Sequence, residues 1–318
     1  MLSLAMIVRD EADGIASVLK QAALFCDEMV VVDTGSVDNT VQIAQDHGAK
    51  VHQIEWPNSF CDARNYALDA TQGEWVMHLD GHDHLPPETI KGLSDLDLDA
   101  HKDNDAIVLP MCIVNTSGKV LLTYPRERIT RRHLRWQYDA HTIIAPYRPV
   151  KYNYPIHTLG RTGKKSKRAL EVLERLYANG DRTPRTVFYL ARERFWDQQY
   201  ANAIPMYKEW LEMHPVKWEK YSGLIDLAAC YELIGDKDKA TDTRFAAVTV
   251  EPTRAEAWAA LGNSASKEED YLSAELYYRN AANAVRPENG FVVEIWYTDF
   301  PATLANNCRN ELEIHRRG

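Results

Sequence analysis

Short apolar runs alternate with amphipathic segments through the first hundred residues. Ser3–Val8 is apolar apart from its first residue and predicts a buried strand, followed by a helix over Ala12–Phe25. Met29–Asp33 predicts a second strand, apolar until its acidic end, and Asp38-Asn39-Thr40 opens a helix that runs to about His47 and stops at Gly48. Lys50–Trp56 predicts a third strand, Phe60–Ala70 a helix ended near Gly73, and Glu74–Leu79 a fourth strand that runs into Asp80. Strands alternating with helices at this spacing imply a parallel sheet covered on both faces. Such sheets bind ligands beyond the carboxyl ends of their strands, where Asp33 and Asp80 fall.

The pattern then changes twice. From Ala106 to Pro155 it becomes strand-like (Ala106–Val114, Lys119–Leu122, His141–Ala145) with polar turns, as in a smaller sheet region grafted on the first half. From Lys167 onward it is helical and repetitive. Leu224, Leu227, Ala228, Tyr231, Ala240 and Ala247 recur 34 residues later as Trp258, Leu261, Gly262, Ala265, Ala274 and Ala281, and Val187, Leu190, Ala191, Ala203 and Tyr207 form a looser earlier copy. A 34-residue period with small residues where helices cross is the tetratricopeptide signature. The chain therefore divides into an α/β domain over residues 1–160 and an all-α repeat domain over 161–318. The repeats predict a concave groove for a peptide or a second subunit. Trp196, Trp210, Trp218, Trp258 and Trp296 are candidates to line it, with helix–helix cores as their more ordinary place.

Composition adds exclusions. Hydrophobic residues at 45% and charged residues at 26% are the proportions of a globular chain. No apolar run approaches the roughly 20 residues of a membrane span. The five cysteines are dispersed, without metal-knuckle spacing, which fits a reducing, cytoplasmic setting. The net charge of −9 conceals a basic stretch between Arg126 and Arg168, where twelve Lys and Arg face two acids, Glu127 and Asp139. Such a stretch marks a solvated face or an anion-docking surface.

Four segments carry the candidate chemistry: Ser3 to Glu11, Val30 to Thr40, Ala63-Arg64-Asn65-Tyr66-Ala67-Leu68, and Leu79-Asp80-Gly81-His82-Asp83. In residues, order and spacing they resemble the successive motifs of family-2 glycosyltransferases of the GT-A fold. Tyr138-Asp139-Ala140-His141 and Pro155 to Gly160 resemble the end of that catalytic domain in members with C-terminal helical repeats. The resemblance implies a Rossmann-like nucleotide-sugar-binding domain and inverting transfer from a nucleoside-diphosphate sugar, a UDP-sugar first among donors. It implies that Glu11 and Asp33 contact the nucleoside, Arg64 and Asn65 the ribose and diphosphate, and Asp80 the ribose and a Mn2+ or Mg2+ ion. His82 and His157 would complete the metal set. Glu11 has an ordinary alternative at the positive end of the first helix, and Asn65 as a helix-start residue.

Two departures from the family pattern stand out. His82 replaces the second acid of the Asp-x-Asp motif, and Thr142 replaces the acid that follows the histidine corresponding to His141. The general base is then Asp139, with His141 second and Asp83 third. Acceptors compatible with the chain are an anionic polymer such as hydroxylated-base nucleic acid, a protein or peptide, and a glycan. A degenerate transferase that acts as a binding scaffold through its repeats is the alternative.

Overall fold

The computed structural model of the chain describes residues 1–144, 148–159, 167–288 and 290–317. They fall into two compact units, Met1–Ser166 and Lys167–Gly318.

In the first unit β1 (Leu2–Val8), β2 (Glu28–Asp33), β3 (Lys50–Gln53) and β4 (Trp75–His78) alternate with α1 (Ile15–Ala22), α2 (Thr40–Asp46) and α3 (Phe60–Ala70). β2 and β4 flank β1 and β3 lies outside β2, all parallel. β1 is buried along nearly its whole length because both of its faces are covered. Leu4, Met6 and Val8 join the core with α1, while Ala5 joins the opposite core with Ala67 and Leu68 of α3. This is the period of two expected of a strand. The chain steps outward from β1 to β3 and then crosses back to β4, so the order reverses between β1 and β4. The crevice of an open sheet lies at such a reversal.

β5 (Asp83–His84) and α4 (Pro87–Ser94) follow, then β6 (Ala106–Val114), β7 (Val120–Arg131), β8 (Trp136–Gln137), β9 (Ile143–Ile144), β10 (Pro149–Lys151) and β11 (Ile156–Leu159). The strand-like region expected after Ala106 joins the first sheet directly. β7 pairs antiparallel with β4, and β6 with β7, so the later strands prolong the first sheet in the order β3-β2-β1-β4-β7-β6-β11-β5. The sheet is mixed, and among the described residues β8 and β9 form a separate two-stranded ladder. β7 was expected to end at Leu122 and instead runs to Arg131. Its basic residues had hidden the alternation that sends Ile129 into the core.

The second unit holds α5 (Arg168–Ala178), α6 (Pro184–Trp196), α7 (Tyr200–Leu211), α8 (Lys217–Leu233), α9 (Lys237–Val250), α10 (Ala255–Lys267), α11 (Tyr271–Ala282) and α12 (Phe300–Arg317). α6–α7, α8–α9 and α10–α11 are successive antiparallel pairs, as tetratricopeptide-like repeats require. The 34-residue period extends to the caps: Asp236 accepts from the amide of Lys239, and Asp270 from that of Ser273. The recurring small residues Ala203, Ala240, Ala247, Ala274 and Ala281 are all buried where helices meet. Trp210 is core, packed on Phe188 with ring centroids 4.6 Å apart, whereas Trp196 and Trp218 keep about two-fifths of their surface exposed.

After α11 the chain doubles back against the start of α10. The carbonyl of Phe291 accepts a hydrogen bond from buried Arg254, and the amide of Val293 donates to Glu256. Glu256 also receives the hydroxyls of Tyr221 and Tyr297. The guanidinium of Arg192 lies 4.5 Å from the centre of the Phe291 ring.

Candidate functional site

The loops after β1 and β2 are knitted together. The Asp10 amide donates to the Ser36 hydroxyl, the Val37 amide to Asp10, the Glu11 amide to Thr40, and the Ala12 amide to Asp38. Asp33 ends β2 almost fully buried. One of its oxygens accepts from the amides of Gly35 and Ser36, the other from the Ser36 hydroxyl. Gly35 adopts φ +99°, which glycine adopts without strain. Asp33 therefore shapes the loop that borders the crevice.

The turn after β4 packs onto the start of α1. A Cβ on Gly14 would lie 2.5 Å from the Gly81 carbonyl oxygen, and one on Gly81 would lie 2.8 Å from the Glu11 side chain. Glycine at both positions lets Glu11 cross the turn and meet His82, with Nδ1 3.2 Å from the carboxylate. Asp83 closes the turn by accepting from the Asp80 amide at 2.9 Å.

Asp80 is held from two sides. Arg64 of α3 donates to one carboxylate oxygen at 3.2 Å, and Arg128 of β7 approaches the other at 3.6 Å. Arg128 is buried and also reaches Asp83 at 3.5 Å and the His78 carbonyl at 3.0 Å. Arg64 lies over the Trp136 ring at 4.8 Å, and its Nε is buried without a hydrogen-bond partner. Asn65, the next residue, clamps the Trp136 backbone at both its amide and its carbonyl. Its side chain thereby serves to seat Trp136 beside Arg64.

Ser59 caps α3 by accepting from the Asp62 amide, and its hydroxyl donates to Asp139 at 2.8 Å. The Phe60 amide donates to the Asp139 carbonyl, so the Tyr138 to His141 loop is fixed to the start of α3. Tyr138 and His141 both hold positive φ, at 70° and 48°. Arg126 pins the loop from the other side by donating to the Thr142 carbonyl at 2.7 Å. Asp139 and His141 are partly exposed in this loop, whereas Asp83 is buried at the base of the acidic turn.

The residues expected to hold a divalent ion are not brought together. Both Asp80 oxygens face guanidiniums, His82 faces Glu11, and His157 stands on β11 opposite His84 of β5. Among the described residues no group of three His, Cys, Asp or Glu side chains is placed to hold a metal ion. A cation on Asp80 would sit against two fixed positive charges, so this donor set does not fit a divalent ion.

The same charges separate the two acids. Burial opposes ionisation of Asp80, but the guanidiniums of Arg64 and then Arg128 outweigh it and hold its carboxyl well below the usual carboxylate range. Burial pushes Asp83 up from 3.8 to about 6; Arg128 opposes the rise and the Asp80 charge adds to it. His78, buried against Thr130 and Trp136, is pushed down by burial, then by Arg64 and Arg128. A carboxyl whose folded pKa exceeds its unfolded value destabilises the fold when ionised, so Asp83 becomes more favourable as pH falls through about 6. His78 contributes with the opposite sign, and a comparison with Asp83→Asn cancels it. The unfolding free energy of the wild type relative to Asp83→Asn should rise by about 1 kcal/mol between pH 7.5 and pH 5. Urea unfolding at the two pH values checks this, and a flat difference would refute it.

Among the described residues several charges of the basic stretch are paired within the fold. Arg131 is buried against Trp75, Glu74 and the carbonyls of His101, Lys102 and Asn104. Arg135 pairs with Asp69, Arg148 with Asp105 and Lys167 with Asp197. Arg161, Lys164 and Lys165 lie outside the described residues, as do Gly160 and Ala145. Sequence reasoning missed Arg128, Trp136 and His78. Arg126 pairs with Leu109 of β6 and Thr130 with Ala106, and a bulge at Arg128 breaks the alternation between them, so no regular pattern in the sequence points these arginines at the acidic turn.

The family model described as Glycosyl transferase family 2 matches residues 3–158. A TPR repeat-containing protein of Synechococcus elongatus is 43% identical over 84 residues, 26% of this chain and 21% of the relative. A protein of Rickettsia felis described only as an uncharacterized glycosyltransferase is 31% identical over 87 residues, 27% of this chain and 30% of its own length. TarS of Staphylococcus aureus, a poly(ribitol-phosphate) beta-N-acetylglucosaminyltransferase, is 34% identical over 96 residues, 29% of this chain and 16% of that protein. The structure of TarS residues 1–349 with UDP-GlcNAc matches with a TM-score of 0.43 at 18% identity, over 76% of this chain and 89% of that one. The matched segments thus span less than a third of each curated relative. Ordered motifs, an open sheet with charged residues at the reversal of its strand order, and the family match agree: the N-terminal unit of this chain belongs to glycosyl transferase family 2.

Proposed function

We propose that the chain moves a sugar from a uridine-diphosphate sugar to an acceptor nucleophile with inversion at the anomeric carbon. The observation that carries this reading is the charged turn at the end of β4, beside the reversal of strand order, where Arg64 meets Asp80 and the turn packs on Glu11. The nucleoside would lie along the Glu11 and Asp33 loops. Asp139 is the first choice for the base, since Ser59 orients its carboxylate in a partly exposed loop, and His141 is the second. The base takes the acceptor proton as the oxygen attacks C1; the bond from C1 to the diphosphate oxygen breaks, and its electron pair leaves with the diphosphate. TarS is named for an anionic polymer acceptor, which supports an anionic acceptor here.

A second reading is favoured by Thr142, which is buried with its carbonyl on Arg126 where the family pattern places an acid. On that reading the domain binds donor and transfers nothing. Thermal shift against a panel of nucleoside-diphosphate sugars, with and without manganese, tests donor binding, since a ligand of the folded state raises the melting temperature. Release of UDP in the presence of candidate acceptors tests transfer. A shift with a uridine donor together with UDP release is expected. No shift with any donor overturns the transfer reading and leaves a scaffold that acts through its repeats, and a shift without turnover selects a scaffold that still binds donor.

A further inference from the structure

We infer that the donor's diphosphate is neutralised by the guanidiniums of Arg64 and Arg126 rather than by a divalent cation, and that Asp80 is the counter-anion Arg64 gives up when the diphosphate binds. The inference rests on reading the crevice as a nucleotide-sugar site. Its basis is the charge arrangement around the acidic turn.

Asp80 and Asp83 are the acids at the centre of the turn, and three guanidiniums, from Arg64, Arg126 and Arg128, act on Asp80. Arg126 is itself paired with Glu127 at 3.7 Å, while Arg64 and Arg128 face Asp80 and Asp83, so an incoming anion competes with these carboxylates for the guanidiniums. The three arginines are not equivalent. Arg128 is consumed inside the protein by Asp80, Asp83, the His78 carbonyl and the Met111 sulfur, donating to that sulfur at 3.0 Å. Arg64 keeps 19% of its side chain exposed and a buried Nε without a partner, and Arg126 keeps 30% exposed. These two retain donors for an incoming ligand. Guanidinium forks match phosphate oxygens in geometry and charge.

The acids that would hold a cation are committed elsewhere. Asp80 gives an oxygen to each of two arginines, and the histidine in place of the second acid is turned to Glu11. As the glycosidic bond breaks, charge builds on the departing diphosphate, and fixed guanidiniums can stabilise it without reorganising.

The test is isothermal titration of the full chain with UDP in EDTA and in manganese. Equal affinities within about twofold are expected in the two conditions. Arg64→Ala should weaken binding about tenfold to a hundredfold, the loss of charge-assisted hydrogen bonds, and Arg64→Lys should recover only part of it. Asp80→Asn should bind UDP at least as tightly as the wild type, because it frees Arg64. If Arg64→Ala fails to fold, the wild-type comparison and Asp80→Asn decide. Binding that requires manganese, or that Asp80→Asn abolishes, overturns the inference and leaves the nucleotide-sugar reading standing. Absence of UDP binding in both conditions overturns that reading and the inference with it.

Discussion

Replacing Arg128 with methionine will cost the N-terminal unit about 3–5 kcal/mol of unfolding free energy at neutral pH. Arg128 is 6% exposed and Asp83 3%, so water cannot take over the lost ion pair. The variant leaves Asp83 without its counter-ion, with Asp80 as a like charge beside it. The His78 carbonyl loses a donor as well. Asp83 already takes a proton near pH 6, and the loss of Arg128 moves that point higher. The deficit should therefore narrow at pH 5, where the orphaned carboxyl is neutral. Urea unfolding at pH 7.5 and pH 5 gives both numbers. A loss under about 1 kcal/mol at pH 7.5, the range of an exposed pair, would show that Arg128 is not the counter-ion proposed.

The second large effect lies in the repeats. Trp210→Ala should destabilise the C-terminal unit by about 3–5 kcal/mol, as large aromatic truncations in cores do. Trp210 is 1% exposed and packs on Phe188, and its ring edge lies against Gly223 of α8, where a Cβ would collide with it. Gly223→Ala alone should also destabilise, by about 1–3 kcal/mol, through overpacking. Together the two substitutions relieve one another, because the added methyl enters the space the indole leaves. The double variant should be more stable than the sum of the single effects predicts. Strict additivity in thermal unfolding would contradict this account of the contact.

How much of this was legible beforehand depends on whether the controlling interaction is local. α3 was readable to its last residue, Phe60–Ala70, because Ser59 caps it and its apolar face is regular. The tetratricopeptide positions were readable because the period repeats the same burial. α4 was not foreseen: eight residues with two buried side chains carry little periodicity. The site was legible as a list of residues and not as a set of pairings. Arg64 was expected at the ribose and diphosphate and Asp80 at the ribose and a metal ion, but their contact with one another crosses from α3 to the end of β4. Asn65 reads as a ligand contact in sequence and serves as a clamp on Trp136 in the fold, a partner 71 residues away. Arg128 was counted in a basic stretch because a charge in a strand gives no sign of which acid it will meet.

The return of the chain over the start of α10 bears on how such a protein can change over evolutionary time. Repeat arrays lengthen by duplicating a unit, and any duplicated pair must present the same surface to its neighbour. The last pair here does more than that. Arg254 and Glu256 carry the bonds to Phe291, Val293, Tyr221 and Tyr297, and a copy inserted after α11 would separate these groups from the segment they bind. Changes in copy number are therefore confined to positions before α10, and the C-terminal end of the array is a fixed terminus that would be inherited as a block.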